Sequence, residues 1–319
     1  MKFIIVLIIL FLVELLYFKI AYKFNIIDKP NERSSHSQIT LRGGGIIFYF
    51  GAFLFFIWSG FQFPWFFLGL TLMTIISFLD DVFTLSNKLR LIIHFSSVLL
   101  MAYELNLFSL PWYILVISFI FIVGVINAYN FMDGINGITA SYSLAVVSLL
   151  MIVNQKIEFI NNDLLSFSLL GILVFAFFNF RTKAKAFAGD VGSVAIAFIL
   201  LFALGSLIFQ TGNLVYVLFL VIYGIDAIWT IIRRLTKKEN IFEAHRSHLY
   251  QYLGNEAKVN KLGISFFYGL LQFIIGYIVI IIANTTVSYQ LYFSFGLLIL
   301  LSVIYILLKN YIIKKYKIF

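Results

Sequence analysis

Apolar runs long enough to cross a bilayer as helices, about 17–25 residues, recur along the whole chain, with short polar segments between them. The first covers about residues 3–22. Further runs follow at about 46–60, 64–79 and 89–104. Pro111 opens a fifth that ends near residue 126, and a sixth reaches residue 153. Others lie at 165–180, up to 209, at 214–232, and twice beyond residue 261. The pattern predicts an all-α fold: a polytopic integral membrane helical bundle of about eleven (ten to eleven) transmembrane helices. No polar stretch is long enough for a separate soluble domain. Residues 1–319 therefore read as a single transmembrane domain, with a long loop at 233–261 inside it. Lys2 ahead of an apolar run suggests a signal peptide, but the run is too long and no small-residue cleavage site follows, so it reads as a span.

Composition sharpens this picture. The chain is 62% hydrophobic and 12% charged, with a mean hydropathy of +1.02. It has no Cys, which excludes disulfides and thiolate metal or haem sites. The formal charge of +9 does not make nucleic acid an expected partner, because in a membrane protein the first question is which side the charge occupies. Eleven spans place Lys2 and Lys156 on one face and the rest of the 23 Lys and Arg on the other or at its helix ends. Basic loops stay inside, so that face is expected to be cytoplasmic. The polar segments 28–42, 80–90, 127–136, 181–193 and 233–248 all fall on it, and the opposite loops carry almost nothing.

Each segment has its own chemistry. In DDVFTLSNKLR, residues 80–90, Asp80 and Asp81 are adjacent carboxylates that repel unless a cation or donor cluster sits beside them. They suit Mg²⁺, a hard cation that keeps waters and phosphate oxygens as its other ligands, with Lys88 and Arg90 placed to meet phosphate. A loop whose acids cap the next helix is the alternative. In NAYNFMDGING, residues 127–137, Asn127, Asn130, Asp133 and Asn136 recur every three residues. They share one face if the fifth helix continues through them, which suits a nucleotide or sugar; a run of turns is the alternative. FAGDVGS, residues 187–193, sets glycines and Asp190 before an apolar helix, where a phosphate bridged by Mg²⁺ could sit; there too Asp190 could be a simple N-cap. HRSHLYQ, residues 245–251, brings His245, Arg246 and His248 together without a third ligand at a zinc-protease spacing, so phosphate or sugar-phosphate is the better partner. Glu14, His94 and Asp226 lie inside spans and receive no role.

Taken in order, DKPNERSSHSQITLRGGG, DDVFTLSNKLR, NAYNFMDGING, FAGDVGS and HRSHLYQ resemble the polyprenyl-phosphate N-acetylhexosamine-1-phosphate transferase family (glycosyltransferase family 4) across the whole chain. The HRSH and R-GGG forms are similar to its O-antigen branch. The resemblance implies a Mg²⁺-dependent enzyme (with Mn²⁺ as a substitute) of the bacterial inner membrane. It would transfer a sugar 1-phosphate from a UDP-N-acetyl sugar to undecaprenyl phosphate, release UMP and start a cell-surface polysaccharide. Carried over to this sequence, it implies Asp190 as main metal ligand, with Asp80 and Asp81 holding or deprotonating the lipid phosphate and assisting the metal. Asn130, Asp133 and Asn136, with Asn127 beside them, would shape the nucleotide-sugar pocket, and Phe187 would stack on uracil. His245, Arg246 and His248 would meet the diphosphate or sugar. Asn136 stands where several relatives carry Asp, and RTKAKA before Phe187 lacks the family's usual proline. A homodimer is compatible with the sequence. Two rivals are weighed. An intramembrane prenyltransferase would carry a second Asp-rich cluster, which is absent, and a lipid-linked-sugar transporter would line a path through the midplane.

Overall fold

The structure is a computed structural model that describes residues 1–28, 39–83, 85–240 and 245–318. His36 and most of the polar stretch before Arg42 lie outside these residues, as do residues 241–244 of the long loop. The helices in chain order are α1 (Lys2–Lys23), α2 (Ile46–Trp58), α3 (Pro64–Phe83), α4 (Asn87–Glu104), α5 (Trp112–Met132), α6 (Ile138–Ile157), α7 (Asn162–Asn179) and α8 (Gly189–Thr211). A 3₁₀ stretch at Leu214–Leu220 leads into α9 (Val221–Thr236); the short α10 (Leu249–Gln251) then runs into a π-turn, followed by α11 (Lys261–Ile282) and α12 (Val287–Tyr316). The eleven expected spans are thus all helical. Among the described residues, nine helical segments are both long and apolar enough to cross a membrane. The protein is a multi-pass membrane protein. Two expected spans fall short of that measure. α2 has 13 residues, about 20 Å of helix against about 30 Å of hydrocarbon. α4 carries Lys88, Arg90 and Glu104 within 18 residues.

α8 is apolar on every side, and a helix of that kind belongs at the centre of a bundle. It packs against α2, α3 and α5, and most of its side chains are buried. α1 instead buries one stripe, Val6, Leu10, Glu14, Tyr17 and Ala21, at helical spacing. α12 buries only Gln290, Tyr305, Lys309 and Ile312, so its other faces are left for lipid or a neighbour.

Where the 3₁₀ stretch turns into α9, regular helix hydrogen bonding is broken. Gln272 from α11 repairs it: its Oε1 accepts from the Ile222 amide (3.1 Å) and the Tyr142 hydroxyl (2.9 Å), and its Nε2 donates to the Leu218 carbonyl (3.1 Å). In an apolar interior such groups must be satisfied from within the protein.

Contacts at the loop ends sort the bundle into two faces. Lys2 pairs with Asp163 at 2.6 Å, and Asn161 donates to Gln62 at 2.7 Å. The start of α1 and the α2–α3 and α6–α7 connections therefore share one face. The described parts of the expected polar segments collect at the other. There, β1 (Ile27–Asp28) and β2 (Thr40–Leu41) pair antiparallel, and Leu41 also bridges Ala186. This small ladder ties the Gly43–Gly44–Gly45 turn to the start of α8. The Gly44 amide donates to the Phe187 carbonyl at 2.8 Å and the Gly45 amide to the Ala188 carbonyl at 3.1 Å.

Candidate functional site

Two expected spans end later than hydropathy suggested. α3 continues to Phe83, so Asp80 and Asp81 sit on its last turn and not in the loop after it. α5 continues to Met132, which carries Asn127 and Asn130 on the helix and Asp133 at its end.

The four charged ends meet in one network. The Arg42 guanidinium lies 2.8 Å from Asp81 Oδ1 and 3.3 Å from Asp190 Oδ1. Arg90 lies 2.7 Å from Asp80 Oδ2 and 3.7 Å from Asp190 Oδ2. Asp190 is therefore held between two arginines. Burial works against the charge on Arg42, but Asp81, Asp190 and Asp28 together outweigh it and hold the guanidinium above its ordinary pKa.

The two adjacent acids differ in what they face. Both oxygens of Asp81 accept from α8: Oδ1 from the Asp190 amide and Oδ2 from the Val191 amide, each at 3.2 Å. Its side chain is fully buried, whereas that of Asp190 is 22% exposed. The amides at the start of α8, which the sequence offered to a phosphate, are thus engaged by a carboxylate from α3. Asp190 itself is not the cap of its helix. Asp80 accepts from the Leu85 amide at 2.8 Å and shapes the α3–α4 turn.

A cavity of about 230 Å³ opens beside this network. Arg42, Asn130, Asp133, Asn136, Phe187 and Asp190 line it, together with Asp28, Asn179, Ser193 and Gln251. Asn130 donates to Ser193 at 3.2 Å, and Asn136 donates to the Arg181 carbonyl at 2.7 Å. Asn179 fixes two walls at once: it accepts from the Gly137 amide (2.7 Å) and donates to the Ala186 carbonyl (2.8 Å).

Asp133 accepts a 2.5 Å hydrogen bond from Thr139. Burial, reinforced by Asp190, pushes its carboxyl from the ordinary 3.8 up to about 6, against the opposing pull of Thr139 and Arg42. The folded chain therefore keeps the Asp133 proton up to about pH 6, while the unfolded chain releases it near 3.8. Across that window the folded state binds more protons, so this group makes stability fall as pH rises, with no further change above the window. Asp133→Asn should remove that slope. Melting temperatures of the two proteins in detergent between pH 4.5 and 7 test this, and identical slopes would contradict it.

Among the described residues, several expected members lie off the cavity. Asn127 bonds back to the Val123 carbonyl on its own helix at 2.9 Å. His245 packs against Phe131 and His248 with tilted rings, centroids 6.1 Å and 5.0 Å away, and its Nδ1 pairs with Ser247 at 2.9 Å. Burial, then His248 and Arg234, pull the His245 imidazole down to about 4, so it is neutral near pH 7. Arg246 pairs with Glu256 at 2.7 Å, and His248 is buried against Asp226. The His245–His248 pair recruits no third metal ligand: among the described residues no three His, Cys, Asp or Glu converge to hold an ion. From the sequence alone Asn179 is unmarked, while Arg42 and Gln251 enter only as members of the R-GGG and HRSHLYQ segments. Arg42 was marked by the glycines after it. Asn179, at the end of an apolar helix, carried no comparable signal.

A multi-pass membrane bundle with arginines, carboxylates and amides gathered at one rim defines a class of membrane enzyme that handles anionic substrates. The sequence pattern of glycosyl transferase family 4 matches residues 63–209. A Bacillus subtilis protein named probable undecaprenyl-phosphate N-acetylglucosaminyl 1-phosphate transferase is 27% identical over 309 residues, which cover 90% of this chain and 85% of that protein. A Thermotoga maritima undecaprenyl-phosphate alpha-N-acetylglucosaminyl 1-phosphate transferase is 30% identical over 72% of this chain and 74% of its own length. A Clostridium perfringens phospho-N-acetylmuramoyl-pentapeptide-transferase is 30% identical over 49% of this chain and 47% of its own length. The chain belongs to glycosyl transferase family 4, the family that its five polar segments resemble. These names do not single out an O-antigen branch.

Proposed function

We propose that the protein transfers a sugar 1-phosphate from a UDP-linked N-acetylated amino sugar to undecaprenyl phosphate, on the cytoplasmic face of a bacterial inner membrane. An oxygen of the lipid phosphate attacks the β-phosphorus of the UDP-sugar. The bond from that phosphorus to the bridging oxygen breaks, UMP leaves with the oxygen, and polyprenyl-diphosphate-sugar remains. The observation that carries this reading is the junction of two sites: a cavity lined by amides, Asp133 and Phe187 meets, at Asp190, the acids at the end of α3 that Arg42 and Arg90 bridge. The names of the relatives point the same way.

Each side chain has a task in such a transfer, which depends on positioning and charge neutralisation more than on covalent help. Phe187 stacks on the uracil, while Asn130, Asp133 and Asn136 fit the polar edges of the nucleotide-sugar. Arg42 and Arg90 turn from the carboxylates to the phosphates as substrate arrives. Asp81 holds the α8 backbone, and so Asp190, in place. Neutral His245, if the sugar diphosphate reaches it, acts as a hydrogen-bond partner and not as a cation.

The donor set fits Mg²⁺. Asp190 is a hard-oxygen ligand on the cavity, and Mg²⁺ is commonly held by one or two carboxylates with substrate phosphates and waters completing its shell. Asp190 would be its main protein ligand, with Asp81 behind it. When bound, the ion would supply charge neutralisation at the diphosphate. A phosphate monoester is largely ionised near neutral pH, so a general base at Asp80 or Asp81 has little to do.

Incubating membranes that contain the protein with undecaprenyl phosphate and a panel of UDP-amino sugars tests the proposal. UMP release with one of them is the expected result. Pyrophosphate release would point to a prenyltransferase, and movement of a lipid-linked sugar without turnover would point to a transporter.

A further inference from the structure

Among the described residues, the most heavily bonded carboxylate inside the bundle is not at the cavity. Asp226, on α9, is buried, and its two oxygens gather donors from four parts of the chain. Oδ2 accepts from the Tyr268 hydroxyl of α11 at 2.9 Å. Oδ1 accepts from the Tyr305 hydroxyl of α12 (2.9 Å), from Thr230 on its own helix (3.3 Å), from His248 Nδ1 (3.2 Å) and from the Leu249 amide (3.1 Å). Lys309 stands behind them, donating to Tyr305 at 2.6 Å and to Thr230 at 2.8 Å. A charged group at this depth persists only where it is paired and hydrogen-bonded.

Two of these bonds reach the segment 245–251, and that segment reaches the cavity. The Asp226 carboxylate only accepts, so the His248 proton facing it is on Nδ1. The His248 amide donates to Gln251 Oε1 at 3.1 Å, and Gln251 is part of the cavity wall. Tyr250, between them, donates to the Phe131 carbonyl at 2.9 Å. It also lies directly under Gly134: a Cβ built on Gly134 would fall 2.1 Å from the Tyr250 hydroxyl oxygen. The turn that presents Asp133 therefore rests on this segment, and the segment rests on Asp226.

We infer that Asp226 is a positioning residue for the transferase: through His248 and the Leu249 amide it sets segment 245–251, and with it Gln251 and the Asp133–Gly134 turn, against the cavity. This rests on the reading of the cavity as the nucleotide-sugar site. Asp226 touches no substrate. Its effect is geometric, and a displacement of the order of an ångström costs more in the transition state than in binding.

The test uses the full-length protein in detergent with undecaprenyl phosphate. Asp226→Ala should lower kcat about 10–100-fold, as loss of a supporting partner commonly does, and move KM for the UDP-sugar less than about threefold. Asp226→Asn keeps an acceptor and should recover much of the loss. His248→Asn places an amide N–H where Nδ1 stands, and should retain more activity than His248→Gln, which does not. Tyr305→Phe removes the hydroxyl that joins Asp226, Thr230 and Lys309 on the α12 side, leaves the bonds from His248 and the Leu249 amide in place, and should keep kcat. Amide hydrogen exchange of 245–251 should quicken on the order of tenfold in Asp226→Ala and stay unchanged in Tyr305→Phe. The proposal falls if Asp226→Ala keeps its kcat, if Tyr305→Phe loses as much, or if exchange in 245–251 does not respond. Should Asp226→Ala fail to fold, the Asn–Gln pair at His248 decides, and equal activities would overturn the inference. A wild-type protein that releases no UMP would defeat the proposed reaction alone, since the exchange measurement reads the positioning independently.

Discussion

Asp190→Asn is expected to lower Mg²⁺-dependent UMP release from a UDP-sugar and undecaprenyl phosphate by at least about 10²–10³-fold, the scale set by removing a charge-stabilising group from a transfer site. Two consequences coincide at this one position. The substitution removes the cavity-facing carboxylate that would hold the ion. It also leaves Arg42 and Arg90, 3.3 Å and 3.7 Å from that carboxylate, without the negative charge that separates them. The amide of Asn does not restore either function, although it keeps the side chain's shape. The backbone is expected to survive, because Asp81 grips the α8 amides of residues 190 and 191 and not the Asp190 side chain. Binding of Mn²⁺, followed by its electron spin resonance signal in the absence of substrate, should weaken in parallel. Full activity in the variant would remove the metal assignment.

Gly45→Ala is expected to damage fold and activity together. A Cβ at this position would lie 2.4 Å from the Gly192 Cα and 3.0 Å from the Ala188 carbonyl oxygen. Both neighbours are backbone, so neither can rotate away, and crowding of this kind costs about 1–3 kcal/mol or more. Relief requires the Gly43–Gly45 turn to lift from α8. Arg42 immediately precedes that turn, and it would leave Asp81 and Asp190 as the turn moves. The melting temperature should drop and UMP release should fall at least about tenfold, as expected when a charged clamp shifts by an ångström. Gly124→Ala is the matched control: it lies on an exposed face of α5, and its Cβ would meet nothing within 4 Å. That variant should keep both stability and activity. Equal behaviour of the two variants would show that the contact with α8 is unimportant.

Much of this architecture was legible in the amino-acid order because the signals are local. Helix length and apolar content are properties of a contiguous stretch, so the spans and the collection of polar segments at one end could be read directly. The separate motifs of Asn130, Asp133, Asn136, Phe187 and Asp190 also suggested a common pocket, and these residues line one cavity. Other features depend on pairings between distant segments. Asp80 and Asp81 are chemically identical neighbours, and only the approach of α8 separates one that is enclosed from one that shapes a turn. His248 reads as a ligand beside His245, yet its ring belongs to Asp226, 22 residues earlier and on another helix. Helix ends were misplaced for a related reason: hydropathy falls at Leu79 and Ile126, whereas backbone hydrogen bonding continues to Phe83 and Met132.

The capture of the α8 amides by Asp81 bears on how the protein responds to ionic strength. A helix dipole shielded inside protein would retain an anion with little regard to dissolved salt. Here that source of attraction is already engaged, and guanidinium groups at a wet rim must do the attracting instead. Mobile ions weaken such attraction over a distance of about 10 Å at 0.1 M. Under the proposed reaction, affinity for the UDP-sugar should accordingly decline steadily as sodium chloride is raised, while the bundle itself, held by apolar packing, stays intact.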